Sequence, residues 1–304
     1  MTFNPNANIS GNRVRGGASA AKRGGIAAGG IGIGGLLVYL LVSFLGGDPG
    51  NLAEMGLTSP DQGQFEPADD TLSIDECITG ADANERVDCR MQATAYSLDS
   101  FWESALPSQA NTEYVLPEMV IFTDSVNTAC GHATSAIGPF YCPGDETVYL
   151  DTSFFNELTS RYGAQEGPLA ELYVVAHEFG HHIQNQLGYM AAADRNGTGP
   201  TSDQVRLELQ ADCYAGMWVG GASTALDQNG VAYLQEPTNA EIEDALSAAS
   251  AVGDDHIQET FQGQVQPHTW THGSSAQRMK WFSTGLTQGS LKACDTFAVS
   301  PGDL

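Results

Sequence analysis

Three patterns of apolar and polar positions follow one another along the chain. Residues 24–47 (GGIAAGGIGIGGLLVYLLVSFLGG) hold no charged side chain. A helix of about 20 apolar residues crosses a hydrocarbon core, so this stretch predicts a single transmembrane helix. Residues 48–70 are rich in Pro, Gly, Asp and Gln and predict an exposed linker. From residue 71 onward, periodic runs alternate with turn residues, the pattern of a folded domain.

Within that domain, residues 82–106 set Val87, Met91, Tyr96 and Leu98 among polar neighbours and predict a helix that Pro107 ends. The β-branched runs 117–126 and 146–151 predict strands, separated by a loop containing Gly and Pro. Residues 151–163 predict a helix that starts at Asp151 or Thr152 and stops at Gly163. The strongest helix is 168–188, opened by Pro168 and closed by Gly188, with Leu169, Leu172, Tyr173, Ala176 and Gly180 on one face. Helices are also predicted over 202–221, 238–253 and 274–286, with cap candidates at Ser202, Thr238 or Asn239, and Ser274. Strands come first and helices later, so the fold class is α+β, predominantly helical.

Charge sharpens the division. The 304 residues carry 12 Lys and Arg against 37 Asp and Glu, a net of −25. Arg13, Arg15, Lys22 and Arg23 all precede the first acid, Asp48. Cations beside an apolar span favour the cytoplasmic side. The expectation is therefore a basic cytoplasmic leader over 1–23, a membrane helix over 24–47, and an extracytoplasmic domain over 71–304 in the cell envelope. A cleaved signal peptide would want a shorter apolar core, and the glycine-rich first half could also serve as a linker. The acidic balance argues against nucleic acid as a partner, because phosphate binding needs clustered cations.

Six cysteines, Cys77, Cys89, Cys130, Cys142, Cys213 and Cys294, all follow the apolar stretch. An even number on an extracytoplasmic domain predicts three disulfides, for which fifteen pairings exist. The local choices join Cys77 to Cys89 and Cys130 to Cys142, which leaves Cys213 with Cys294. No CxxC occurs, so a cysteine metal site is disfavoured.

The chemistry lies in the strongest helix. His177-Glu178-Phe179-Gly180-His181 is HExxH. Residues four apart share a helical face, so both imidazoles can reach one ion. Glu178 then projects beside the metal, where it can take a proton from water. Chance produces the pattern in roughly one chain of this composition in a hundred. A catalytic zinc needs a third protein ligand and an open fourth position. The candidate is Glu208, on the next predicted helix. Asp212, one turn later, is a candidate to hold the free N–H of a ligating imidazole. The competing reading makes Glu208 and Asp212 a solvated acidic face.

The stretches HEFGHHIQNQLG, ELQADCYAGMW, THGSSAQRMKWF and CGHATSAIGPFYCPGDETVYLDTSFF resemble the bacterial neutral zinc metallopeptidases of the YpfJ type. The resemblance covers most of residues 75–295. It implies a membrane-anchored, zincin-like peptidase with one Zn2+ per chain. It implies His177, His181 and Glu208 as ligands, Glu178 as base, and a peptide or protein substrate. A zinc-binding envelope protein that docks a partner without catalysis is the alternative. A metal-assisted hydrolase of non-peptide amides is a third.

Other polar residues carry less. His272 is a candidate to stabilise an oxyanion, against an ordinary place at a helix start. Arg278 suits an ion pair with an acid, the alternative being to orient substrate. His182 projects about 100° from His181 and reads as packed or exposed. His132 is a weak candidate to line a cleft, and His256 and His268 read as loop residues.

Overall fold

A computed structural model describes residues 1–16 and 76–304 of the chain. The apolar stretch 24–47 and the linker 48–70 lie outside the described residues. Among the described residues, no helix is long and apolar enough to cross a membrane.

A four-stranded mixed sheet forms one layer. Its strands are β1 (Arg15–Gly16), β2 (Glu118–Phe122), β5 (Phe140–Cys142) and β6 (Thr147–Asp151), in the order β1-β2-β6-β5. β1 and β6 run parallel to β2, and β5 runs antiparallel to β6 at the edge. A separate hairpin pairs β3 (Ser125–Thr128) with β4 (Gly131–Thr134). The predicted strand 117–126 is thus two strands. Asp124, at φ 65°, turns the chain between them.

The helices are α1 (Gly80–Glu85), α2 (Val87–Ala110), α3 (Phe154–Ser160), α4 (Pro168–Gln186), α5 (Tyr189–Ala192), α6 (Asp203–Gly221), α7 (Asn239–Ala251), α8 (Asp254–Gln262) and α9 (Ser275–Gln288). About half of the described residues are helical, and the class is α+β. α2 runs past Pro107 to Ala110. A proline in the last turn forfeits one backbone bond. Ser108 Oγ reaches back to the carbonyls of Ser104 and Ala105, and Asn111, in the left-handed region, ends the helix.

The core sits where α4, α6, α7 and α9 pack together. Glycine permits the closest crossing. A Cβ on Gly285 of α9 would lie 1.8 Å from the carbonyl oxygen of Cys213 on α6, and one on Gly216 would lie 2.0 Å from that of Phe282. The bonds Cys77–Cys89, Cys130–Cys142 and Cys213–Cys294 are all formed. The last ties α6 to the C-terminal segment.

Residues 1–16 do not stand apart as a leader, unlike the expectation for that part of 1–23; residues 17–23 lie outside the described residues. Phe3, Ala7, Ile9 and Val14 are buried in the core. Phe3 bridges Leu234, and Asn8 bridges Thr79. Gln92 Nε2 donates to the carbonyl of Ile9 at 2.8 Å. Arg13 is partly buried against Asp99 and lies over the ring of Phe179 in α4. The two described early cations are therefore structural partners of the domain: Arg13 takes Asp99, and Arg15 takes Glu118. Residues 1–16 and 76–304 therefore share one core.

Candidate active site

α4 forms where the sequence asks for it. Gly167 precedes it in extended conformation, and Pro168 occupies its first turn, where the missing N–H costs nothing. Its buried face carries Tyr173, His177 and His181 at spacings of four. α6 starts at Ser202, whose side chain accepts from the N–H of Val205.

Gly180 decides how these helices meet. A Cβ there would stand 3.0 Å from the Cα and carbonyl oxygen of Ala211. Without one, α6 approaches closely at Ala211. Glu208 and Asp212, on either side of that contact, then face His177 and His181. The HExxH residues and their partners on α6 meet because the x before His181 is glycine.

Glu208 Oε2 lies 3.2 Å from His177 Nε2, and Glu208 Oε1 lies 3.5 Å from His181 Nε2. Donors about 2.1 Å from one tetrahedral ion stand about 3.4 Å apart. The other ring nitrogens are engaged elsewhere. His177 Nδ1 is 2.8 Å from Asp212 Oδ1, and His181 Nδ1 is 2.9 Å from Gln184 Oε1. Both Nε2 atoms are thereby turned inward. Two imidazoles and one carboxylate are the donor set of a catalytic zinc, and the spacing fits one such ion.

The electrostatics follow from burial and proximity. Burial works against a charge on His177, but the Asp212 and Glu208 carboxylates outweigh it and push its pKa up to about 10. Burial also opposes the charge on Glu208. His181, His272 and His177 overcome this and hold its carboxyl well below the usual range. Glu178 differs: burial raises its pKa, only partly offset by the two histidines and the N–H of Tyr141. Two neighbouring carboxylates are thus pushed apart, one held ionised and one raised.

Behind the triad is a buried network. Arg278 Nε donates to Asp212 Oδ2 at 2.9 Å, and Nη2 donates to Oδ1 at 2.9 Å and to Tyr173 Oη at 3.1 Å. Tyr173 Oη donates to Asp212 Oδ1 at 2.5 Å. Arg278 has the acid partner expected of it. Tyr173 and Gln184 carried no polar signal in the sequence: one counted as a core position, and the other was an unremarkable amide.

His272 lines the same cleft as His177, Glu178, His181 and Glu208. Asp254 Oδ2 accepts from the backbone N–H groups of Thr271, His272 and Gly273, and Oδ1 lies 3.3 Å from His272 Nδ1. Nothing in the sequence marked Asp254. His132 and His256 depart from expectation, and His182 takes the packed of its two expected places. His132 is exposed on the hairpin and bonds Asn127 instead of lining the cleft. His256 lies in α8, where Nε2 accompanies the carbonyl of Tyr162 at 2.9 Å. His182 is fully buried, with Nδ1 at 3.0 Å from Tyr141 Oη and Nε2 at 2.6 Å from the Val115 carbonyl.

The family model described as "putative neutral zinc metallopeptidase" matches residues 3–297, the docked N-terminal segment included. A protein of Mycobacterium tuberculosis H37Rv, named only as uncharacterized, is 48% identical over 258 residues, covering 84% of this chain and 85% of the relative. The protein YpfJ of Escherichia coli K12, also named as uncharacterized, is 41% identical over 192 residues, covering 62% of this chain and 63% of the relative. No solved structure matches the chain.

Proposed function

The chain belongs to the putative neutral zinc metallopeptidase family, and from that premise we propose that it hydrolyses peptide bonds with one zinc ion per chain. His177, His181 and Glu208 would hold the ion in a zincin-like arrangement. The observation that carries the reading is the position of Glu178: a buried carboxyl with a raised pKa, in one cleft with three metal-type donors. When bound, zinc supplies Lewis acidity toward a substrate carbonyl and lowers the pKa of water to near neutrality.

The chain's own residues do the rest. Glu178 takes a proton from the attacking water as the C–O bond forms, and gives it to the amine as the C–N bond breaks. A carboxyl raised by burial suits both transfers, because a base works best near the ambient pH. His272, held by Asp254, donates to the oxyanion that develops on the carbonyl oxygen. Asp212 fixes the ring of His177 and is itself fixed by Arg278. A structural zinc site is usually closed by four protein ligands, so a triad favours catalysis over a partner-binding role. The three disulfides favour an oxidising compartment, outside the cytoplasm, for the whole folded body.

The test is Glu178→Gln in the zinc-loaded chain against a mixed peptide pool. General base catalysis contributes about 10²–10⁴-fold, and cleavage should fall by that factor with zinc still bound. Cleavage at the native rate would remove Glu178 from the mechanism.

A further inference from the structure

We propose that the cleft accepts an internal peptide bond flanked by one bulky apolar side chain. This rests on the peptidase reading and adds its substrate class. Beyond the metal-type triad, the cleft is lined by Phe154, Tyr162, Val174, Val252 and Ile257. These come from the first turn of α3, the segment after it, α4, the residue capping α7, and α8. Val174 lies one turn before Glu178, so the apolar end begins about 5 Å along the helix from the chemistry. An extended peptide advances about 3.3 Å per residue. The apolar end therefore meets the side chain next to the bond being cut.

Gly138, at φ +75°, keeps this end open. A Cβ there would stand 3.1 Å from the ring of Phe154. The whole cleft encloses about 180 Å³. A cavity near 150 Å³ already accepts benzene, so one leucine- or phenylalanine-sized group fills most of the space.

Apart from Glu178, the charged groups of the cleft are already engaged. Arg278, the one Arg or Lys among the described lining residues, gives its donors to Asp212, Tyr173 and the Val252 carbonyl. Glu208 faces both imidazoles, and His272 is held against Asp254. A terminal carboxylate is typically gripped by a free guanidinium fork. The lining offers none, which points to internal bonds.

Hexapeptides with acetylated and amidated ends, varied at one internal position through Phe, Leu, Ala, Gly and Asp, test this on the zinc-loaded full chain. Equilibrium binding of the same peptides to the Glu178→Gln variant is the second readout. Phe and Leu should raise kcat/KM at least tenfold over Gly and Asp beside the cut bond, with tighter binding. Val252→Phe, which fills the apolar end, should move the preference to Ala or Gly. Cleavage without apolar preference, or cleavage of the same hexapeptides only when their ends are left free in a parallel set, overturns the subsite and leaves the peptidase reading intact. Apolar-selective binding with no cleavage by the native chain keeps the subsite and overturns that reading. Neither binding nor cleavage removes both.

Discussion

Asp212 Oδ1 lies 2.8 Å from His177 Nδ1, on a carboxylate that Arg278 grips through both oxygens. The carboxylate fixes the ring, and the guanidinium fixes the carboxylate. Asp212→Asn keeps the shape and removes the charge. Loss of such an outer partner costs about 10–100-fold in metal affinity. Zinc titration against a competing chelator should show a weakening in that range with the fold retained. An unchanged zinc Kd would mean that Asp212 serves the Arg278 pair and not the metal site.

This network also marks the limit of what the sequence carries. His177, Glu178 and His181 are legible because one helix fixes their spacing. Glu208 and Asp212 are legible as a hypothesis, since the next helix must fold back to bury its apolar face. Gln184, Tyr173 and Asp254 are not legible. Their roles come from packing between distant segments, and an amide, a core tyrosine or a helix-start acid has many uses. The departure over residues 1–16 has the same source. Four cations before an uncharged stretch carry a topological meaning by local rules. Asp99 and Glu118, which Arg13 and Arg15 meet, lie about a hundred positions away.

The docked N-terminal segment predicts a labelling pattern. Asn12 and Gln288 are both exposed, one on each part of the shared body. Among the described residues every cysteine is in a disulfide. Asn12→Cys and Gln288→Cys variants, treated in intact cells with a membrane-impermeant maleimide, should both label or both stay unlabelled. Labelling of one alone would break the docked arrangement and restore opposite sides.

The glycine contact between α6 and α9 predicts a stability loss. Gly285→Ala places a methyl 1.8 Å from the Cys213 carbonyl oxygen, and backbone must move to admit it. Overpacking of this kind costs about 1–3 kcal/mol. In a body of this size each kcal/mol lowers Tm by about 2–4 °C. A melt should fall by several degrees, and an unchanged Tm would mean that the helices are not this close.

His182 predicts a pH dependence of stability separate from catalysis. Burial, aided by the charge of Arg13 and opposed by the Val115 carbonyl, lowers its pKa from 6.5 to about 4. The folded chain therefore keeps the ring neutral where the unfolded chain protonates it. The unfolded state binds the extra proton, so stability rises with pH across this window. The contribution is fully present above pH 6.5 and is lost as pH falls toward 4. A shift of this size corresponds to about 3 kcal/mol at most, since one pKa unit is about 1.4 kcal/mol. His182→Gln keeps a hydrogen-bonding side chain and removes the titration. Urea unfolding from pH 7 to pH 4.5 should show a shallower loss in this variant than in the native chain, even where its stability at pH 7 is lower. Parallel curves would assign the acid sensitivity to other groups and mean that His182 titrates alike in both states.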